Sequence, residues 1–249
     1  MKTDVKDLLQ RTPYRISRRA RGTNRFSAIE HSLQSLRGRG FTPLSVIDAG
    51  ANVGDFAMFV LDLFPQAVIH AIEPQPGCAH ALERLCTSSG GRLVYHPVAL
   101  CEPGQDSSTL LFAGDANSTS TGAHVVLSGE AGMSTINVPC MTLDHLFANV
   151  PDHGDMGLLK LDLQGYELHA LRGAERVLAS CDVVLTEVSF YAQAYEPPIS
   201  ELIAFMAQVG FELHDIAAIY ARPRDDRPRQ GDFIFVRNGS HLAVDTAWA

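Results

Sequence analysis

The stretch Val46-Ile47-Asp48-Ala49-Gly50-Ala51-Asn52-Val53-Gly54-Asp55-Phe56 decides the fold of this 249-residue chain. An apolar, strand-like run leads into a glycine turn, and the turn opens onto an apolar helix. The next apolar run, residues 67–74, carries Glu73 near its end. A glycine at a strand–helix junction lets a ligand approach the backbone, and a carboxylate at the tip of the neighbouring strand can hold both hydroxyls of a ribose. The pair predicts a site for a nucleoside cofactor.

Outward from this turn, the chain alternates strand-like and helix-like segments. We predict strands at 44–49, 67–73, 93–100, 136–141, 158–163, 183–188, 211–216 and 233–236, and helices at 53–64, 76–86, 143–147, 166–179 and 199–209. Strands that read as near-continuous apolar runs are typical of a parallel sheet covered on both faces. The sequence therefore predicts an α/β, doubly wound, mostly parallel sheet.

The chain divides into an extension and a main domain. Residues 1–43 are expected to form a basic, helical N-terminal extension, because apolar residues recur there at helical spacing. Residues 44–249 are expected to form the α/β domain. Within it, residues 101–136 or so are rich in Ser, Thr, Gly and Asp and interrupt the alternation. We expect an insertion of long loops or a hairpin there, and long irregular segments are often functional.

Composition and charge exclude several classes of protein. No apolar run approaches the roughly 20 residues of a membrane span, and the first residues lack the core of a secretory signal. Five scattered cysteines form no CxxC pair, which argues against a disulfide framework or a zinc site and fits a cytoplasmic protein. The net charge of −8 combines +7 on residues 1–43 with −15 on the remainder.

The acidic remainder is a poor match for nucleic acid, so we expect no nucleic-acid partner. The basic segment is interpreted as a solvated cap on an acidic body. Recognition of an anionic substrate and a contact within a homo-oligomer are the open alternatives.

The residues of the turn discriminate between cofactors. A dinucleotide fingerprint, Gly-x-Gly-x-x-Gly, needs glycines where this chain has Asn52 and Asp55. An aspartate would repel a pyrophosphate and an asparagine side chain would crowd it. S-adenosylmethionine carries no phosphate, so the turn favours this cofactor over NAD. Asp48, two residues before Gly50, can organise the turn or interact with the ammonium group of the ligand.

Three segments of the chain resemble the FkbM-type S-adenosylmethionine-dependent methyltransferases. They are Val46–Phe56 with Ile72–Pro76, Leu159–Glu167 with Leu171–Glu175, and Thr186–Phe190 with Gly231–Phe235. The first is generic to class I methyltransferases, whereas the Lys-x-Asp-x-Gln-Gly-Tyr-Glu run in the second is much more specific. The resemblance implies a seven-stranded, Rossmann-like class I fold. It also implies O-methylation of hydroxyls of natural products and glycans.

Class I methyltransferases place their first and fourth strands side by side, so the resemblance brings the candidate residues to one cleft. Ala99 and Leu100 end the third predicted strand and are expected to border the adenine, with simple packing in the core as the alternative. The expected cofactor-binding residues are Asp48, Gly50, Asn52, Gly54, Glu73, Ala99 and Asp162. The expected contacts to the acceptor are Asn117, Ser118, Gln164 and Tyr166.

The candidate catalytic residues are Lys160, Asp162 and Glu187. A buried strand that carries both a cation and an anion needs a reason, because unpaired buried charge is costly. Lys160 and Asp162 form either a structural ion pair or part of the methyl-transfer site. Glu187 closes the next apolar strand, and a salt bridge to Lys160 or to a loop arginine is its alternative role. Asp162 or Glu187 is the first choice for the base that removes a hydroxyl proton.

The sequence thus predicts an S-adenosylmethionine-dependent O-methyltransferase acting on a hydroxyl of a sugar or secondary metabolite. A methyltransferase for RNA or protein, a non-catalytic cofactor-binding module and an NAD-dependent oxidoreductase are the alternatives. A divalent metal held by Asp162, Glu187 and a third acid would parallel some sugar O-methyltransferases. No ligand spacing in the chain demands that metal, so we do not expect it.

Overall fold

The structure is a computed structural model that describes residues 25–105, 109–113, 119, 124–125, 135–148, 157–192 and 196–243. The strands in these ranges are β1 (Ser45–Ala49), β2 (Val68–Ile72), β3 (Leu93–His96), β4 (Ala99–Leu100), β5 (Thr109–Ala113), β6 (His124–Val125), β7 (Thr135–Met141), β8 (Leu158–Leu161), β9 (Val183–Ser189), β10 (Phe211–Ala221) and β11 (Pro228–Arg237). The helices are α1 (Arg25–Gly38), α2 (Asp55–Leu63), α3 (Pro76–Ser88), α4 (Leu143–Leu146), α5 (Glu167–Arg172), α6 (Glu175–Ser180) and α7 (Ile199–Gln208).

Seven strands form the main sheet, in the order β10-β11-β9-β8-β1-β2-β3. β11 runs antiparallel to both of its neighbours, and the other pairings are parallel. The predicted doubly wound, mostly parallel sheet is therefore confirmed. The chain winds from β1 towards β3 on one side and from β8 towards β10 on the other. The carboxyl ends of β1 and β8 thus flank the switch point, where ligands bind in open α/β sheets.

A smaller sheet has the order β4-β7-β5-β6. The single strand predicted at 93–100 is wrong, because the chain breaks after His96 and its second half, β4, pairs with β7 instead. Pro97 has no backbone N–H to continue the ladder, and Val98 N–H turns back to the carbonyl of His96 at 2.9 Å. Within the expected insertion, β5 pairs antiparallel with both β6 and β7.

The helix predicted at 166–179 is also wrong as one element, since it divides into α5 and α6 at Gly173. A Cβ atom at Gly173 would lie 2.9 Å from the carbonyl oxygen of Cys101 and 3.0 Å from Cβ of Thr142. The close approach of these neighbours leaves room only for glycine, and glycine weakens a helix interior. The break lets two short helices follow the sheet.

Two apolar clusters cover the two faces of the main sheet. Helix α1 belongs to the first cluster, because Ile29, Leu33 and Leu36 are buried in it together with residues of α2, β8 and β9. A hydrogen bond of 2.6 Å from Ser32 Oγ to Asp215 Oδ2 also ties α1 to β10. Helix α1 therefore packs against one face of the sheet, next to the edge formed by the carboxyl ends of the strands. None of the helices in the described residues is long and apolar enough to span a membrane.

Candidate active site

The turn after β1 is shaped by a close approach between two strand ends. Gly50 has φ +76°, and a Cβ atom there would lie 2.0 Å from the carbonyl oxygen of Asp162. Gly54 has φ +93°, and its Cβ would lie 2.3 Å from Cδ1 of Leu85 on α3. From the sequence, these glycines were expected to let a ligand approach the backbone. The structure instead shows that protein atoms occupy the space that a side chain would need.

Two residues beside the turn adopt the left-handed conformation without being glycine. They are Asn52, at φ +47°, and Gln164, at φ +54°. Asn52 Oδ1 accepts the N–H of Val53 at 2.9 Å, which helps asparagine tolerate this conformation. Backbone strain of this kind concentrates at ligand sites. Both residues line the same cleft.

Glu73 lies just beyond β2 and is held by the backbone of both neighbouring loops. Its Oε2 accepts the N–H of Asn52 and its Oε1 accepts the N–H of Gln75, each at 2.9 Å. Burial raises the pKa of Glu73, and the two backbone N–H groups oppose that rise. The carboxylate is buried yet borders the cleft. Each oxygen retains a lone pair that can accept a ligand hydroxyl.

Lys160 forms an ion pair with Asp48 of the neighbouring strand, whereas the sequence had left a pair with Asp162 as one of two open alternatives. Its Nζ lies 2.8 Å from Asp48 Oδ1 and donates a second hydrogen bond of 2.8 Å to the carbonyl of Gly50. Asp48 is fully buried; burial raises its pKa, and Lys160 acts in the opposite direction. Asp48 Oδ2 accepts no hydrogen bond from the described residues. The pair thus fixes the carbonyl at the centre of the turn.

An open cleft runs along the carboxyl edge from β2 to β11. It encloses about 1210 Å³ of space, counting the part open to solvent. Among the predicted cofactor residues, neither Asp48 nor Gly54 is part of the cleft lining. The predicted site residues that border it are Gly50, Asn52, Glu73, Ala99, Lys160, Asp162, Gln164 and Tyr166.

The two predicted carboxylate bases occupy neighbouring compartments joined by one amide. Gln164 Nε2 donates to Asp162 Oδ1 at 2.9 Å and to Glu187 Oε2 at 3.5 Å. Gln230 Nε2 also donates to Glu187 Oε2, at 3.4 Å. Asp162 borders the cleft, whereas Glu187 borders a small recess beside it that Ser189 also lines. The structure therefore brings the two acids close but faces them to different spaces.

Of the predicted acceptor contacts, Gln164 and Tyr166 lie in the described residues and border the cleft. Tyr166 is fully buried, its hydroxyl donates to Gln105 Oε1 at 3.2 Å, and burial raises its pKa to about 12. Its ring borders the cleft and stacks on His169 with the centroids 4.5 Å apart. Asn117 and Ser118 lie outside the described residues. Within those residues, no group of three His, Cys, Asp or Glu side chains is arranged to hold a metal ion.

Several residues that border the cleft were not predicted as site residues, and three of them lie on β11 and α1. Asp232 on β11 is 1% exposed, and its Oδ2 accepts the hydroxyl of Tyr220 at 2.7 Å. Phe26 and Ile29 of α1 line the same cleft. A lone carboxylate directly before the predicted apolar strand 233–236 was the available signal for Asp232. The same reasoning had selected Asp162 and Glu187.

Glu167 supports the loop that carries Asp162 and Gln164. Its raised pKa is expected to make the stability of the fold depend on pH. Its Oε1 accepts the N–H of Leu163 at 2.7 Å and that of Gly165 at 3.3 Å. Burial raises its pKa from 4.5 to about 7. The folded state therefore binds this proton more tightly than the unfolded state does. The stability from this group is present below pH 4.5 and is lost as the pH rises to about 7.

We expect Glu167→Gln to remove that loss of stability. The glutamine amide oxygen can still accept the two backbone N–H groups, but it carries no negative charge that burial would penalise. Between pH 4.5 and 8, the free energy of unfolding of the variant should rise by about 3 kcal/mol relative to the wild type. Urea unfolding across this range measures the difference. Glu175→Gln, on the exposed side of α6, is the control. Parallel pH profiles for wild type and Glu167→Gln would contradict the assignment.

The sequence of the chain matches one known domain family and one curated protein. The methyltransferase FkbM domain matches residues 48–213. Methyltransferase 1 of Beauveria bassiana (strain ARSEF 2860) is 26% identical over 144 residues, which cover 52% of this chain and 58% of that protein. The chain thus spans little more than half the length of this curated relative.

Two solved structures are similar in fold. Methyltransferase FkbM from Methylobacillus flagellatus KT is 15% identical with a TM-score of 0.47, covering 77% of this chain and 43% of that one. A candidate rRNA-methylase from Clostridium thermocellum is 8% identical with a TM-score of 0.50, covering 87% and 97%. At such identities the likeness concerns the fold alone. Because the domain match contains the glycine turn, Glu73, Asp162 and Glu187, the chain belongs to the methyltransferase FkbM domain family.

Proposed function

We propose that the protein is an S-adenosylmethionine-dependent methyltransferase whose acceptor is a hydroxyl of a small molecule, a sugar or a secondary metabolite. The observation that carries the proposal is the Glu73 carboxylate, which two backbone N–H groups hold at the edge of the cleft. This arrangement suits the two hydroxyls of a ribose. Membership of the FkbM family supports the same reaction class.

The residues around the turn suit a nucleoside without phosphates. Asp55 begins α2 at the cleft, where a pyrophosphate would otherwise bind to the N-terminus of the helix. Val98, Ala99 and Leu100 offer an apolar wall for an adenine ring. When bound, S-adenosylmethionine supplies an activated methyl group on a sulfonium. The task of the protein is then to position the acceptor and to remove its proton.

Cofactor binding tests the proposal directly. We expect S-adenosylhomocysteine to raise the melting temperature of the wild-type protein, and NAD at the same concentration to leave it unchanged, because only a ligand of the native state stabilises it. Transfer of a labelled methyl group from S-adenosylmethionine to a panel of alcohols is the matching activity assay. Stabilisation by NAD alone would overturn the proposal.

Replacing Glu73 is expected to weaken cofactor binding strongly. Hydrogen bonds to a charged group contribute about 1.5–3 kcal/mol each, so the loss of both ribose contacts in Glu73→Ala should weaken binding of S-adenosylhomocysteine by at least about 100-fold. Isothermal titration calorimetry measures the affinity, and a thermal melt verifies that the variant is folded. Glu83→Gln, an exposed glutamate on α3, is the control and should bind like the wild type. Unchanged affinity in Glu73→Ala would remove the ribose assignment.

A further inference from the structure

Asp232 lies at the end of the cleft farthest from Glu73 along the strand order of the sheet. It is 1% exposed and borders the cleft together with Leu185 of β9 and Ile29 of α1. This burial leaves little water around the residue. A charge in such an environment acts more strongly on nearby ligand atoms than a charge in water does. Asp232 is therefore placed to act on whatever group enters beyond the cofactor.

The hydrogen bonds of Asp232 distinguish it from Glu187. The two residues are directly opposite each other in the antiparallel pairing of β11 and β9. Glu187 accepts two amide donors, from Gln164 and Gln230, and borders the small recess. Asp232 Oδ2 accepts the hydroxyl of Tyr220, and Asp232 is one of the residues that border the main cleft. Of this pair, Asp232 is therefore the residue placed at the main cleft, whereas Glu187 is placed at the recess.

We propose that Asp232 accepts the proton of the acceptor hydroxyl during methyl transfer and that Tyr220 fixes the orientation of its carboxylate. The inference rests on the proposed function. In the reaction the hydroxyl oxygen forms a bond to the methyl carbon while the carbon–sulfur bond breaks. The electron pair of that bond stays on sulfur, so the sulfonium becomes a neutral thioether. The hydroxyl proton passes to Asp232, and both charge and atoms balance.

This role has a consequence that can be measured without an acceptor. A base within reach of the acceptor oxygen is also near the sulfonium, which is present in S-adenosylmethionine and absent from S-adenosylhomocysteine. Its negative charge should therefore favour the first ligand over the second. We expect Asp232→Asn to weaken binding of S-adenosylmethionine about tenfold relative to S-adenosylhomocysteine. A purely structural role would weaken both ligands equally.

Calorimetric titration of the full chain with each of these two ligands is the experiment. Asp62→Asn is the matched control, because it makes the same substitution at an exposed aspartate of α2, and its affinity ratio should equal that of the wild type. Glu187→Gln tests the opposite carboxylate, which borders the recess. Tyr220→Phe is the second variant and keeps the charge. We expect it to weaken S-adenosylmethionine about threefold and to leave S-adenosylhomocysteine unchanged. It also gives an answer if Asp232→Asn does not fold, as judged by its thermal melt.

The possible results distinguish a failure of the proposed function from a failure of the role of Asp232. A wild-type protein that binds neither ligand would overturn the proposed function. If the wild type binds both ligands and Asp232→Asn has the same affinity ratio, the role of Asp232 alone is overturned. If Asp232→Asn does not fold, an unchanged ratio in Tyr220→Phe overturns it instead. A changed ratio in Glu187→Gln alone would transfer that role to Glu187. For any alcohol that the wild type methylates, Asp232→Asn should lower turnover by about 100- to 10,000-fold.

Discussion

Lys160→Met is expected to lower the free energy of unfolding by about 3–5 kcal/mol, the range measured when one partner of a buried ion pair is removed. Asp48 is 0% exposed, and Lys160 lies 2.8 Å from its Oδ1. Without the ammonium group, Asp48 must either remain charged without that cation or take up a proton. The carbonyl of Gly50 loses its hydrogen bond at the same time. Urea unfolding at pH 7 measures the loss.

A double substitution distinguishes this structural role from the catalytic role that the sequence suggested for Lys160. Asp48→Asn/Lys160→Met removes both charges, so we expect it to recover at least about 1 kcal/mol relative to the sum of the single variants. Arg84→Met, which removes an exposed cation from α3, should change stability by less than about 0.5 kcal/mol. A Lys160→Met variant with unchanged stability and lost turnover would instead support direct catalysis.

The partner of Lys160 illustrates why the sequence predicted the strand but not the contact. Asp162 is the nearest acid along the chain, but side chains two residues apart in a strand are separated by roughly 6.6 Å. Asp48 is 112 residues away in sequence, yet it is directly opposite Lys160 in the parallel pairing of β1 and β8. Neighbouring strands are only about 4.8 Å apart. Register between distant strands, which no local pattern specifies, therefore decides the ion pair.

Asp232 was missed for a related reason. Its position in the cleft depends on β11 lying between β9 and β10 and running antiparallel to both. The glycine turn and Glu73 needed no such information, because consecutive strands joined by one helix are usually neighbours. The end of the cleft around Gly50 and Glu73 is thus local in sequence and was predictable. The other end is lined by residues from β8, β9, β11 and α1, so its composition required the structure.

The two wrong elements had local signals that the apolar pattern outweighed. Residues 93–100 read as one strand, although Pro97 interrupts them and lacks the N–H that the ladder needs. Residues 166–179 read as one helix, although Gly173 lies in their interior. In both cases a neighbouring backbone or side chain, invisible in the sequence, makes the break stable. At these two positions Pro97 and Gly173 are therefore stronger signals for the end of an element than the continuous hydrophobic pattern around them.

Gly50→Ala is expected to abolish cofactor binding and to lower the free energy of unfolding by more than about 4 kcal/mol. The added Cβ would lie 2.0 Å from the carbonyl oxygen and 2.9 Å from the carbonyl carbon of Asp162. Both are backbone atoms that cannot rotate away, so the ends of β1 and β8 must separate. That movement displaces Asp162 and the turn that carries Asn52. Urea unfolding and calorimetric titration with S-adenosylhomocysteine measure the two effects.

The positive φ of Gly50 would by itself destabilise an alanine, and Gly90→Ala isolates that contribution. Gly90 has φ +67°, close to the +76° of Gly50, but apart from its chain neighbours no atom of the described residues lies within 4 Å of its would-be Cβ. The left-handed conformation alone costs about 1–2 kcal/mol, so Gly90→Ala should lose only that amount and should bind the cofactor normally. The remaining loss in Gly50→Ala then measures the contact between the two strand ends. Equal losses in the two variants would show that conformation alone requires glycine at Gly50, and that the approach of Asp162 can relax.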